Sequence, residues 1–324
     1  KRMDTKTRLA ELLTECEGGY LSGSLIAEKL GVTRAAVWKH IRALEGEGYK
    51  IEGVTNKGYR LSEESDVVSC VSLRKAMGQA ASAFHTDVYE SVTSTNTILR
   101  DQAEMLPHWS VAVAGKQTAG KGRVGRSFFS PEGTGIYLSV LMKEGISGIR
   151  PGDLTTAAAV AACRAIYTCT GEQAGIKWVN DVYLHGKKVC GILTEAVVSF
   201  ESGTVDKAVT GIGFNVYEPE GGFPEEIADT AGAITKVRQR DLRARIAAEF
   251  IIEFRSLREA EDRAAQLEEY RERCFIPGRK IYIIEGGARR EAEAVSISDD
   301  FGLLVRNPDG GEEVLTAGEV SIRI

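Results

Sequence analysis

The run Gly120–Pro131, GKGRVGRSFFSP, restricts the architecture of this chain more than any other stretch. Its first six residues set Gly120, Gly122 and Gly125 at the G-x-G-x-x-G spacing. In dinucleotide-binding folds that spacing follows a strand and opens a helix. The strand is present, because Ser110–Ala114 (SVAVA) is apolar and β-prone. The helix is not. Pro131, Gly133 and Gly135 break the segment, and residues 136–141 (IYLSVL) read as a second strand. No fitting acidic residue follows on a second parallel strand, and no Gly-Lys-Ser/Thr closes a Walker A loop. The segment is therefore strand, long glycine loop, strand.

Such a loop suits an anion. Its glycines let backbone N–H groups approach closely, and Lys121, Arg123 and Arg126 add three cations. Arginine pairs in bidentate fashion with carboxylate or phosphate. Without a ligand the loop is expected to be mobile, and to close on an anion. The plainer alternative is a surface loop with solvated charges.

Hydrophobic residues are 43% and charged residues 27% of the 324, enough for two or three globular domains. No apolar run is long enough to span a bilayer and the N-terminus lacks a signal-peptide core, so a cytoplasmic protein is expected. The six cysteines (16, 70, 163, 169, 190, 274) form no C-x-x-C pair and read as free thiols. The four histidines lie far apart, without metal-ligand spacing, and no metal site is expected.

A net charge of −5 excludes a general nucleic-acid-coating protein, but the distribution is uneven. Residues 33–60 carry six Lys/Arg against three Glu. Leu25, Ile26 and Leu30 form one apolar face, and Val37, Ile41 and Leu44 the next. Gly31 suits a helix C-terminus and Thr33 a helix cap. Two short helices joined by such a turn make a helix-turn-helix. YKIEG and KGYRL then read as a β-wing around Val54-Thr55-Asn56. The second helix offers Arg34, Trp38, Lys39 and Arg42, and the wing adds Lys57. These five are the expected DNA-binding residues, with Arg34 suited to guanine and Lys39, Arg42 and Lys57 to phosphate. A protein-binding or purely packing module is the alternative. A single winged module reads DNA weakly, and a homodimer on a two-fold operator is the usual remedy. Residues 62–71 (SEESDVVSCV) are the linker candidate.

Three further segments carry polar groups. SVTSTNT at 91–97 precedes a helix starting near Asn96, where plain capping would explain it. GIKWVNDVYL at 175–184 and KKVCGILTE at 187–195 read as a hairpin around His185-Gly186. VTGIGFNV at 209–216 places two glycines on a strand, which marks close backbone approach.

In order and spacing, S-T-N at 94–96, Q-T-A-G-K-G-R-V-G-R at 117–126, K-W-V-N-D at 177–181, K-V-C-G-I-L at 188–193 and G-F-N at 213–215 resemble the biotin–protein ligases. With the N-terminal module the chain is similar to the bifunctional type, which is also a biotin operon repressor. It departs from the family at Val179, where proline is usual, and at Lys121 (often Arg), Phe214 (often Ile) and Phe128 (commonly Trp).

The resemblance implies an α+β fold with three units. These are a winged helix-turn-helix over residues 1–65, a class II synthetase-like mixed sheet with helices over 66–275, and an SH3-like β-barrel over 276–324. It implies that ATP, with Mg2+, and biotin are substrates. Biotinyl-5′-AMP forms first; biotin then passes to a lysine of a biotin carboxyl carrier protein, an acetyl-CoA carboxylase subunit. Lys188 and Arg123 are the implied catalytic residues. Biotin is implied to contact Ser94, Thr95, Asn96, Gln117, Gly120, Lys121, Gly122, Arg123, Lys188, Gly191 and Gly213. ATP is implied to contact Arg123, Arg126, Phe128, Asn180, Asp181, Lys188 and Asn215. Operator DNA and a ligand-promoted homodimer complete the expectation. A lipoate–protein ligase and a ligand sensor without catalysis are the competing readings.

Overall fold

The computed structural model describes residues 4–16, 18–143, 151–198, 205–260, 262–285, 288–316 and 318–322. Its first five elements are α1 (Thr5–Glu15), α2 (Gly23–Leu30), α3 (Arg34–Gly46), β1 (Ile51–Val54) and β2 (Gly58–Leu61). Ser22 and Thr33 cap α2 and α3 by accepting from the Leu25 and Ala36 amides, and Gly31 ends α2 at φ 68°. Leu9, Leu13, Ile26, Leu30, Val37, Ile41 and Leu44 form the core of this module. Leu25, expected on the same face, is 38% exposed. Ile26 and Leu30 point inward at i and i+4, which turns Leu25 about 100° away on a helix of 3.6 residues per turn. The wing pairs Ile51 with Leu61 through Val54 with Gly58.

The segment after the wing is a linker in sequence but not a loose one, since Ser65 and Asp66 are buried. The Asp66 carboxylate accepts from Tyr217 Oη at 2.8 Å and from Arg243 N and Nε, both at 3.1 Å. Arg243 Nη1 donates to Gly135 O at 3.3 Å. The segment that follows the wing is thereby tied to α8 and β5 of the central body through buried charges.

The body contains α4 (Cys70–Met77), β3 (His85–Tyr89), α5 (Thr95–Asp101), β4 (Ser110–Ala114), β5 (Gly135–Met142), α6 (Pro151–Thr170), β6 (Gly175–Lys177), β7 (Asp181–Leu184), β8 (Lys187–Val198), β9 (Val205–Asn215), α7 (Glu225–Ala228), α8 (Leu242–Glu259) and α9 (Arg263–Arg273). The sheet order is β3-β4-β5-β9-β8-β7-β6. Only β3–β4 is parallel. Ile136, Leu138 and Val140 on β5 belong to the large core with α6 and α8. Ala157–Ala159, Ala161, Ala162 and Ala165 are buried, and such small side chains let α6 lie close to its neighbours. The opposite face is partly covered by α5, whose Leu99 packs on Ala112, Leu141 and Val209.

The last strands are β10 (Lys280–Glu285), β11 (Ala288–Ile297), β12 (Leu303–Arg306), β13 (Glu312–Leu315) and β14 (Glu319–Ile322). They form an antiparallel sheet in the order β13-β12-β11-β10-β14. Among the described residues β13 and β14 remain its edges, so strand pairing does not close the sheet. The glycine pair Gly286-Gly287, a turn signal in the sequence, lies outside the described residues. Ile281, Ile283, Leu303 and Val305 join the main core. Among the described residues no helix is long and apolar enough to cross a membrane.

Candidate active site

The site begins with missing side chains. β8 and β9 pair Gly191 with Gly213 and Leu193 with Gly211, on the sheet face that α5 leaves partly open. A Cβ on Gly211 would stand 2.0 Å from Asn96 Oδ1, and one on Gly213 would stand 2.3 Å from Phe128 Cε1. One on Gly191 would stand 2.8 Å from Phe128 Cε2. These three glycines hollow the sheet, and Phe128 lies across the hollow.

The basic loop forms an arch over it. Gln117 N donates to Ser130 O at 3.1 Å, Phe128 N to Gly120 O at 2.8 Å, and Gly122 N to Arg126 O at 2.7 Å. Gly120 serves the arch itself. Its Cβ would meet Phe128 O at 2.5 Å, and it borders neither cavity of the site. Gly125 sits at φ 73°, where other residues are strained. Arg123 Nη1 donates to Asn180 Oδ1 at 3.1 Å, joining the arch to the β6–β7 turn. Asn180 Nδ2 in turn donates to Ile192 O at 2.9 Å. Trp178 Nε1 donates to Phe301 O and Tyr270 Oη to Val179 O, so the turn carrying Val179 is held from the C-terminal side as well.

At the start of α5, simple capping by Ser94 is not what is found. Ser94 occupies the N-cap without a side-chain cap bond. Gln117 caps instead, its Oε1 accepting from Thr95 N at 2.9 Å and Thr95 Oγ1 at 3.2 Å. Gln117 Nε2 donates to Ser130 Oγ at 3.0 Å. Ser94, only 3% exposed, lines the cavity instead of closing the helix. Asn96 borders the same cavity, yet both ends of its amide are engaged within the protein. Ser139 Oγ donates to its Oδ1, and its Nδ2 donates to Glu195 Oε2 and Leu193 O.

Two contiguous cavities result. The inner one, about 50 Å³, is lined at one end by Ser94, Thr95 and Gln117 and floored by the glycines. The outer one, about 350 Å³, holds Arg126, Asp181 and Asn215 and reaches Ile284 and Val320 of the C-terminal sheet. Gly122, Arg123, Phe128, Asn180 and Lys188 line both. Lys121, Gly191 and Gly213 line the inner cavity. Lys188 Nζ lies 2.6 Å from Asp181 Oδ1. Its neighbour Lys187 turns away and donates to Ala228 O and Asp229 O. Ser139 and Glu195 are the participants that sequence reasoning passed over. A serine inside the apolar strand IYLSVLM was the available signal.

On the N-terminal module Arg34, Trp38, Lys39, Arg42 and Lys57 are all exposed. Arg42 pairs with Glu45 at 3.0 Å and stacks over Trp38, 5.5 Å from the ring centroid. Lys57 sits 5.9 Å from the Tyr20 ring.

Comparison with known proteins agrees with this arrangement. Residues 88–215 match the biotin/lipoate A/B protein ligase family, and residues 5–60 match a helix-turn-helix domain. The chain belongs to the biotin/lipoate A/B protein ligase family. It is similar to the bifunctional ligase/repressor BirA of Bacillus spizizenii, with 36% identity over 236 residues, 72% of each chain. The Escherichia coli protein of the same name is 29% identical over 315 residues, 94% of each chain. With its helix-turn-helix ahead of the ligase region, the chain is of this bifunctional ligase/repressor type. The biotin protein ligase from Aquifex aeolicus, solved with biotin and ATP, shares the fold. Its TM-score is 0.61 at 24% identity, over 74% of this chain and 98% of that one.

Proposed function

We propose that this protein is an ATP-dependent biotin–protein ligase that also represses transcription from biotin operators. The observation that carries the reading is the position of Lys188 where the inner and outer cavities meet. Biotin carboxylate must approach the α-phosphate of ATP, and two anions meet only where cations offset their repulsion. Lys188 and Arg123 supply that charge. Biotin carboxylate attacks the α-phosphorus, the bond to the β-phosphate oxygen breaks, and pyrophosphate leaves. The amine of a carrier-protein lysine then attacks the acyl carbon, forming the amide and releasing AMP.

In this reading the ureido ring occupies the inner cavity beside Ser94, Thr95 and Gln117, because its N–H and C=O groups need partners once buried. Gly191 and Gly213 leave it room. The nucleotide occupies the outer cavity with Arg126, Asn180, Asp181 and Asn215, and Mg2+ enters with ATP as substrate. Phe128, lying on Gly191 and Gly213, would have to lift for both ligands to be seated. We assign residues 1–65 to operator binding, 66–275 to catalysis and 276–324 to an SH3-like unit. A cytoplasmic location follows from the substrates and the operator. The acceptor is a biotin carboxyl carrier protein of acetyl-CoA carboxylase.

Repression requires two copies on a two-fold site. We propose that biotinyl-adenylate promotes the homodimer, and linkage requires that dimerisation tighten adenylate binding by the same factor. Incubation with ATP, magnesium and either biotin or lipoate, followed by mass spectrometry, tests the chemistry. Biotinyl-AMP is the expected product. Lipoyl-AMP alone would make the chain a lipoate ligase, and no acyl-adenylate would make it a sensor without catalysis.

A further inference from the structure

Ser139 is fully buried in the middle of β5, where every neighbour along the strand is apolar. Leu138 and Val140 face the main core, while Leu141 faces α5. A small apolar residue would satisfy packing at Ser139, so the hydroxyl calls for another explanation. Ser139 Oγ donates its one proton to Asn96 Oδ1 at 2.6 Å and stands 2.7 Å from Thr95 Oγ1. These two partners are consecutive residues on the first turn of α5.

The network continues in two directions. Thr95 donates its amide and hydroxyl to Gln117 Oε1, which turns Gln117 Nε2 toward Ser130. Asn96 Nδ2 donates to Glu195 Oε2 at 2.8 Å, and Arg100 lies 3.6 Å from Glu195 Oε1. A carboxylate accepts only, so Glu195 fixes which end of the Asn96 amide faces Ser139. The polar end of the inner cavity therefore inherits part of its geometry from Ser139 and Glu195, neither of which lines that cavity.

We propose that Ser139, backed by Asn96 and Glu195, is a positioning residue that holds Ser94, Thr95 and Gln117 in register for ring recognition. The inference rests on the biotin reading of the inner cavity. Loss of the hydroxyl leaves Asn96 Oδ1 without its donor and frees the first turn of α5.

The test is calorimetric titration of the full chain with biotin and, separately, with a non-hydrolysable ATP analogue. Ser139→Ala should weaken biotin binding about tenfold, the loss expected from one net hydrogen bond, and leave the nucleotide within about twofold. Ser139→Cys, with its weaker donor, should fall between. Glu195→Ala, a half-exposed position, should act in the same direction and carries the test if the buried variant fails to fold. Unchanged biotin affinity in these variants overturns the proposal. Equal losses for biotin and nucleotide also overturn it, because they report general softening. A parent chain that binds the nucleotide but no biotin overturns the underlying reading together with the inference.

Discussion

Lys188 Nζ stands 2.6 Å from Asp181 Oδ1, across the β7–β8 pairing and at the junction of the two cavities. An ion pair at that distance restrains the ammonium group, and the two protons left over can meet a ligand. Lys188→Ala should retain the fold, since the side chain is 30% exposed. It should lose about 10²–10³ in adenylation rate, the cost of removing one preorganised charge-stabilising donor. Pyrophosphate release by a folded variant at near the parental rate would dismiss Lys188. Lys187 is a poor substitute, because its amine is committed to the carbonyls of α7 and the residue after it.

Arg123 offers a separable test. Its bond to Asn180 joins the arch to the β6–β7 turn, whereas the arch itself is closed by backbone bonds. Arg123→Gly should leave the arch formed and Asn180 still tied to Ile192, but it removes the latch. Adenylate should then dissociate about tenfold faster, as for the loss of one charge-assisted bond. Stopped-flow displacement of pre-formed adenylate measures the rate, and an unchanged rate would remove Arg123 from the latch.

On the DNA face, Lys39 and Arg34 should behave differently. Lys39→Ala should weaken all duplexes alike and reduce the salt slope by about one unit, if the residue meets a phosphate. Arg34→Ala should cost roughly 1–3 kcal/mol at the operator and little elsewhere, as for a lost guanine contact. Salt-dependent binding titrations on operator and unrelated DNA separate the two. Both variants binding the operator like the parent would make the module a protein-binding one.

What the sequence revealed was local. Gly31 and Thr33 announce their turn because caps act within three or four residues, and the G-x-G-x-x-G run excluded a following helix through Pro131 and two glycines. What it hid was the choice of distant partners. Gln117 bonds the first turn of α5 from 22 residues away, so Ser94 holds the N-cap position without a side-chain cap bond. Asn96 borders the inner cavity, and its partners on β5 and β8 could not be read from the sequence. Trp178 reaches Phe301 across 123 residues. The resemblance implied a closed C-terminal barrel, but whether β13 meets β14 depends on pairing that no local pattern encodes.

The sharpest stability test lies at Asp66 and Arg243. Their side chains are 0% and 7% exposed, and the pair spans the junction between the linker and α8. Burying two charges is expensive, and their attraction repays that cost only while both are present and fully hydrogen-bonded. Asp66 meets this condition through Tyr217 and both Arg243 donors, and Arg243 also reaches Gly135 O. Asp66→Ala should therefore cost about 3–5 kcal/mol, because a buried guanidinium is left without its counter-charge. Asp66→Ala combined with Arg243→Met removes both charges and should recover most of that loss. Because Gly135 pairs with Asn215 on β9, at the outer cavity, the single variant should also weaken nucleotide binding more than the double variant does. Denaturant unfolding monitored together with nucleotide titration reads both effects. A single variant as stable as the parent, or a double variant no better than the single, would show that this buried pair does not fix the linker on α8.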